Sequence, residues 1–291
     1  MSERKIFSET LHDGVAISFQ ADEILHEEKT GHHRLDLIRN SIFGKVLLLD
    51  GAVQVTSADE FMYHEMLAHV PLMAHANPAD VLIIGGGDCG LAEEVLKHSR
   101  VKSLTQVEID ASVLDFSRRH FKDFNAPVFD DPRFQVEIAD GAAFAAQSEK
   151  RFDIILVDST DPAGPGAALF TAEFYTNLRR ILKDDGITAT QNGVPFLQER
   201  EFVAAIGALA SVFPVTSCYL VSVPTYFGGH MTLGWASDSE KALNVSEDTL
   251  RERAAGIETR YYTPAHHRAA FALPRFIEDL LAKARKGAET G

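Results

Sequence analysis

The apolar run Val81-Leu82-Ile83-Ile84 leads directly into Gly85-Gly86-Gly87-Asp88-Cys89-Gly90, and a helix-forming stretch follows from Leu91 to His98. No other feature of this chain restricts its fold so tightly. Gly85, Gly87 and Gly90 have the GxGxxG spacing, and small residues there permit a tight turn and let a ligand approach the backbone. Glu108 stands near the end of the next strand-like run, Leu104 to Ile109, 18 residues beyond Gly90. A carboxylate at that place can accept both hydroxyls of a ribose. Strand, glycines, helix and acid together predict a nucleoside-binding α/β unit. A tight turn beside a surface glutamate is the plain alternative.

The rest of the chain extends that unit. Strand-like and helix-like segments alternate through Ala111–Phe121, Phe134–Ile138, Ile154–Val157, Phe170–Leu182 and Ile187–Thr190, which implies right-handed βαβ units in a parallel sheet. Val215–Val223 and Met231–Ala236 read as an antiparallel pair closing that sheet, and Leu273–Lys286 as an amphipathic surface helix. Ser57-Ala58-Asp59-Glu60 has the capping-box pattern, opening a helix over Phe61–Val70 that Pro71 interrupts. Before it, Leu47-Leu48-Leu49, Asp50-Gly51 and Val53-Gln54-Val55 read as a hairpin with a two-residue turn. Val15–Phe19 and Arg34–Ile38 are expected to pair beside it. The expected fold is α/β: a doubly wound Rossmann-like sheet of the methyltransferase type over residues 57–291, behind a small antiparallel β domain over residues 1–56.

Composition narrows the ligand. The 42 Asp and Glu against 28 Lys and Arg leave a net charge of −14, which argues against a nucleic-acid phosphate track and suits a cationic ligand. Cys89 and Cys218 form no CxxC or metal spacing, so a reduced, cytoplasmic setting is expected. The opening residues hold no apolar core for a signal peptide. Phe202–Val223 carries no charge, but Pro214 breaks it, and it reads as a helix followed by a strand rather than a membrane span.

Asp88 lies inside the glycine turn, where a pyrophosphate would meet a negative charge and a sulfonium or ammonium would be welcome. Asp140-Gly141 follows the third strand, as an acceptor for an adenine amino group or as a plain strand-ending turn. Phe152–Val157 ends in Asp158-Ser159-Thr160-Asp161-Pro162, at the carboxyl edge where open α/β sheets bind ligands. Asp88, Asp158 and Asp161 would make an anionic pocket suited to an amine. Magnesium is the chemical competitor, and loop-capping aspartates are the plain reading.

These residues carry a resemblance. The chain closely resembles the bacterial spermidine synthases, polyamine aminopropyltransferases, over nearly its whole length. The shared stretches are Leu49-Asp50-Gly51 with Gln54, Asp59-Glu60-Phe61 with Tyr63-His64-Glu65, and Gly85-Gly86-Gly87-Asp88. They continue through Val107-Glu108-Ile109-Asp110, Asp131-Pro132-Arg133, Asp158 to Pro162, and Pro224-Thr225-Tyr226 with Gly228-Gly229. The resemblance implies aminopropyl transfer from decarboxylated S-adenosylmethionine, a co-substrate, to putrescine. Spermidine and methylthioadenosine are the products, and no metal or separate cofactor is implied.

It further implies Asp158 as general base, with Glu108, Asp140, Gly141 and Pro165 holding the nucleoside. His64, Asp88, Asp158, Ser159, Thr160 and Asp161 would contact the polyamine, in a channel lined by Tyr63 and Tyr226. A carboxylate farther along would hold the distal ammonium. A homodimer or homotetramer, joined through the N-terminal β domain, is the implied assembly. Three positions depart from the family pattern. His33 replaces a glutamine that contacts the nucleoside, Cys89 replaces a glycine, and Ala92-Glu93-Glu94 lacks the usual arginine. Two other classes share parts of the pattern: an S-adenosylmethionine methyltransferase acting on an amine, and a non-enzymatic polyamine-binding module. The segment Asp161 to Gly166 reads either as a lid or as a rigid loop.

Overall fold

Six strands precede the first helix: β1 (Ile6–His12), β2 (Val15–Gln20), β3 (Glu23–Lys29), β4 (Arg34–Asn40), β5 (Gly44–Leu49) and β6 (Ala52–Thr56). The structure, a computed structural model, describes residues 5–12, 14–29, 34–162 and 164–290. Strands β3 to β6 form an antiparallel sheet in sequence order, and β1 and β2 form a separate ribbon. The β5–β6 turn is the expected one, with φ of 51° at Asp50 and 86° at Gly51 and with Leu49 facing Ala52. Positive φ at both residues matches the right-handed twist of the strands they join.

Val15–Phe19 departs from expectation, because β2 pairs with β1 and not with the hairpin sheet. Its contribution is packing: Phe19 buries against Ile38, Val46, Leu48 and Val53 on one face of that sheet. The other face, with Leu35, Leu37, Leu47 and Val55, meets Phe116 and Phe121.

The capping box does not form at the start of α1 (Glu60–Ala74). Ser57 Oγ accepts the Lys45 amide at 3.0 Å, and Glu60 turns to His64. The N-cap Asp59 is engaged elsewhere, accepting from Thr56 Oγ1 at 2.6 Å and from the Thr225 amide and hydroxyl at 2.8 and 2.5 Å. Nor does Pro71 end the helix. An interior proline costs about 3 kcal/mol, but 14 of the 15 residues of α1 are buried, and that packing outweighs the lost bond.

Beyond α1 the alternation appears as expected: β7 (Asp80–Gly85), α2 (Gly90–Leu96), β8 (Ser103–Glu108), α3 (Ala111–His120), α4 (Lys122–Asn125), β9 (Phe134–Ile138), α5 (Gly141–Gln147) and β10 (Phe152–Asp158). Then come α6 (Ala172–Ile181), β11 (Leu182–Gln191), α7 (Glu199–Val212), β12 (Val215–Val221), β13 (Met231–Ser237), α8 (Glu247–Ala254), α9 (Pro264–Ala270) and α10 (Arg275–Thr290). The expected helix Phe170–Leu182 is shorter, since Gly164–Phe170 is a 3-10 segment and Leu182 opens β11.

The seven-stranded sheet has the order β12-β13-β11-β10-β7-β8-β9, parallel except where β13 runs against β11 and β12. Val81 and Ile83 bury on the face covered by α1 and α2. Leu82 and Ile84 bury on the opposite face, under α6, α7 and α10. The charge-free stretch Phe202–Val223 is divided between α7 and β12. Among the described residues no helix is long and apolar enough to cross a membrane.

Asp59 joins the end of β6, the start of α1 and the loop carrying Thr225. Its removal leaves buried donors unpaired, so Asp59→Ala is expected to lower stability by about 3 kcal/mol. Denaturant unfolding checks this; a loss under about 1 kcal/mol would show that the junction is held by packing alone.

Candidate active site

The sheet order reverses between β7 and β10: β8 and β9 lie to one side, β11 to the other. Ligands of open α/β sheets bind in the crevice that such a reversal opens. Gly85 stands opposite Asp158 in the register, and a Cβ on Gly85 would lie 2.0 Å from the Asp158 carbonyl oxygen. Glycine is therefore required, doubly so at a φ of 86°. The Gly86 amide donates to the same oxygen at 2.9 Å, which locks the glycine turn against the end of β10. Cys89 is buried in the left-handed conformation, with φ 62°. It thus supplies a backbone shape that glycine adopts freely, at a strain of about 1–3 kcal/mol.

Four ionisable groups converge on this crevice. Tyr63 Oη donates to Asp158 Oδ1 at 2.8 Å. Burial, reinforced by Asp88, pushes the Asp158 carboxyl up to about 6, against the opposing pull of His64 and Tyr63. The same burial, with Asp158 adjacent, holds the Tyr63 hydroxyl well above its ordinary value, so it stays a donor. Asp88 Oδ1 accepts the Gly90 amide at 2.7 Å. His64 lies beneath the turn, its Nδ1 2.9 Å from Glu60 and its Nε2 3.5 Å from Asp88. Burial opposes its charge, yet Asp88 and Glu60 outweigh burial and raise its pKa well above the usual range. Both nitrogens of His64 are thus directed at carboxylates of the protein rather than into the crevice.

Asp161 is held by two carboxamides, Gln191 Nε2 at 3.0 Å and Gln198 Nε2 at 2.7 Å. Glu9, on β1, accepts the Val53 amide at 3.2 Å. Burial raises its pKa, and the nearby charge of Asp161 adds to the rise. Tyr226 Oη donates to the Gln54 carbonyl at 2.7 Å, and its ring meets Tyr63 edge-on at 5.9 Å. Ser159 Oγ is buried without a partner, whereas Thr160 is exposed beside Asp161.

Glu108, Asp140 and Gly141 lie on the β8–β9 side of the crevice. Glu108 Oε1 accepts the Asp110 amide at 3.0 Å, and burial raises its pKa. Its Oε2 lies 3.0 Å from where a Gly87 Cβ would be. Asp140 Oδ1 caps α5 through the Ala143 amide at 2.8 Å, and Gly141 packs closely on Ile84. His33 lies outside the described residues. So does Ala163 within the expected lid, and so does the side chain of Pro165.

Glu9, Gln191 and Gln198 were not anticipated individually. Gln191 ends β11 on the same carboxyl edge as Asp158, a position that could have flagged it. Glu9 has no local signal at all. Among the described residues, His75, Asp153 and Asp185 are close enough together for a metal, but their chemistry opposes one. His75 Nδ1 accepts the Asn77 amide, so in the neutral ring Nε2 carries the hydrogen. Asp153 already accepts two amides and Lys183.

Residues 60–247 match the spermine/spermidine synthase domain, and residues 6–57 match the spermidine synthase tetramerisation domain. The chain belongs to the spermine/spermidine synthase family. A polyamine aminopropyltransferase from a Ruegeria species is 50% identical, covering 94% of this chain and 97% of its own length. One from Escherichia fergusonii is 47% identical, covering 97% and 99%. A spermidine synthase solved with the transition-state analogue AdoDATO superposes with a TM-score of 0.92 at 37% identity, covering 96% of each chain. The enzyme from Thermotoga maritima gives 0.89 at 35%, covering 96% of this chain and 95% of its own.

In the stretch Ala92-Glu93-Glu94, burial and Glu94 push Glu93 up to about 7. Lys97 compensates, lying 3.1 Å from Glu93 and 2.8 Å from Glu94.

A raised carboxyl pKa favours the protonated form in the folded state. The stabilisation from Asp158 is therefore complete below its ordinary value of 3.8 and lost as pH rises through about 6. At pH 7.5 the ionised group costs about 1–3 kcal/mol. Asp158→Asn should accordingly unfold at higher denaturant concentration than the native chain at pH 7.5, with the gap narrowing toward pH 5. Equal midpoints at pH 7.5 would contradict a raised pKa.

Proposed function

We propose that the chain transfers the aminopropyl group of decarboxylated S-adenosylmethionine to putrescine, yielding spermidine and methylthioadenosine. The observation that carries this reading is a carboxylate of raised basicity, Asp158, fixed by Tyr63 beside a glycine turn and flanked by Asp88 and Asp161.

The acceptor is an ammonium with a solution pKa near 10.4, so about one molecule in a thousand is neutral at pH 7.4. Only the neutral amine has a lone pair to attack with. Asp158 takes the proton, general-base assistance worth about 10²–10⁴-fold. The nitrogen then attacks the aminopropyl carbon bound to sulfur. The carbon–sulfur bond breaks, sulfur keeps the electron pair, and methylthioadenosine leaves as a neutral thioether. Alignment of nitrogen, carbon and sulfur contributes up to roughly 7–11 kcal/mol.

In this reading Tyr63 and Asp161 orient the attacking nitrogen, Ser159 and Thr160 border it, and Tyr226 walls the channel. Glu9 is the distal carboxylate that receives the second ammonium. Glu108 takes the ribose hydroxyls, while Asp140, Gly141, Pro165 and His33 surround the base. Asp88 attracts the donor's own ammonium. A methyltransferase donor carries a carboxylate there, and like charges about 4 Å apart at an effective dielectric of 20 repel by about 4 kcal/mol. That repulsion disfavours the methyltransferase reading.

The β domain, residues 1–56, is proposed to join a homodimer or homotetramer, the catalytic unit being residues 57–291. The match of residues 6–57 to a tetramerisation domain supports this. Two free, buried cysteines suit a cytoplasmic setting.

Three outcomes follow from the proposed roles. The kcat/KM of the native chain should fall as pH drops through about 6, and Asp158→Asn should lose about 10²–10⁴-fold in kcat. An acid limb near pH 4, or a variant keeping half its turnover, would remove Asp158 as the base. Glu9→Gln should raise the putrescine KM about tenfold, the equivalent of about 1.4 kcal/mol, and leave methylthioadenosine affinity unchanged. Steady-state kinetics with calorimetry decides this, and an unaltered KM would place the distal ammonium elsewhere.

A further inference from the structure

Consecutive glycines have little conformational preference of their own, because φ of either sign is open to each. Gly85-Gly86-Gly87 therefore cannot hold the crevice in one shape unaided. One side is tied by the Gly86 amide to the Asp158 carbonyl. The other side is tied by a residue to which no role has yet been given. Gln106, fully buried on β8, donates from Nε2 to the Gly85 carbonyl at 3.0 Å and to the Gly86 carbonyl at 2.7 Å. The Gly86 carbonyl also accepts the Cys89 amide at 2.8 Å. Both hydrogens of the carboxamide are thus spent on the turn, while its Oε1 is buried with no hydrogen-bond partner. A buried acceptor left unsatisfied is costly. Its retention here accords with a side chain kept for its two donors.

We propose that Gln106 is a positioning residue for aminopropyl transfer: by holding the Gly85 and Gly86 carbonyls away from the crevice, it sets the glycine turn against Asp158 and Glu108. Residues 106 and 108 of a strand project from the same face, so β8 supplies both the group that shapes the turn and the carboxylate beside Gly87. Without those two donors the carbonyls are free to rotate toward water in the crevice. The turn then loses its fixed distance from Glu108, where the nucleoside is read to lie. The acceptor end, built from Glu9, Asp161 and Tyr226, makes no contact with Gln106 among those described and is left intact. The inference rests on the aminopropyltransferase reading of the site.

The test is Gln106→Met, similar in length and lacking both donors. Methylthioadenosine affinity is measured by calorimetry, and the KM of each substrate by steady-state kinetics. The nucleoside Kd and donor KM should rise about five- to twentyfold, with the putrescine KM within twofold of native. A merely structural role would lower the unfolding midpoint and leave this split absent. A folded variant that binds methylthioadenosine within twofold of native overturns the proposal. Should Gln106→Met fail to fold, Gln106→Leu, smaller and likewise without donors, carries the same criterion. If the native chain itself binds no methylthioadenosine, the functional reading fails, and the positioning role fails with it.

Discussion

The contact between Gly85 and the Asp158 carbonyl governs the rest of the site. At this place two adjacent parallel strands end together, and the second must turn away to begin a loop. A Cβ at residue 85 would overlap the oxygen at 2.0 Å, so the glycine is what lets β7 and β10 finish level. Once they do, the Asp158 side chain stands over Gly86, and the helix that begins at Gly90 packs on His64 of α1. The turn, the base and the buried imidazole are fixed together. Moving any one of them moves the other two.

This arrangement concentrates negative charge at the carboxyl edge of the sheet. Asp88, Asp158 and Asp161 would repel one another if they were left without partners. Each is instead met by donors: Gly90 for Asp88, Tyr63 for Asp158, Gln191 and Gln198 for Asp161. The cation of the cluster is His64, pinned between Glu60 and Asp88. The balance leaves Asp158 basic enough to take a proton and still ionised near neutrality. A dication entering the crevice relieves the remaining repulsion, so the folded chain bears in advance an electrostatic cost that its ligand offsets.

Much of this was legible from local sequence, and the reason is range. The Asp50-Gly51 turn and the strand–glycine–helix unit depend on neighbours within a few residues, and both appear as read. The carboxyl-edge rule brought Asp88, Glu108 and Asp158 together without any contact being known. The capping box failed because Ser57 is taken by the Lys45 amide of the neighbouring strand and Glu60 by His64. Pro71 misled because burial on all sides of α1 is a tertiary property. Glu9 and Gln106 were invisible for the same reason, one approaching from the first strand and the other acting on main-chain carbonyls.

The two ends of the crevice are built differently. In the proposed reading the nucleoside end takes Glu108, Asp140 and Gly141 from the parallel sheet and its loops. The amine end, in the same reading, lies where the N-terminal strands meet that sheet. Glu9 reaches Val53 across β1 and β6, Gln54 receives Tyr226 from the β12–β13 connection, and Asp59 fixes the same connection through Thr225. Substitutions in the first two strands can therefore alter which amine is accepted and leave the donor's seat unchanged. In the proposed reading the donor is held chiefly by the parallel sheet, whereas acceptor choice is set at a junction between two sheets.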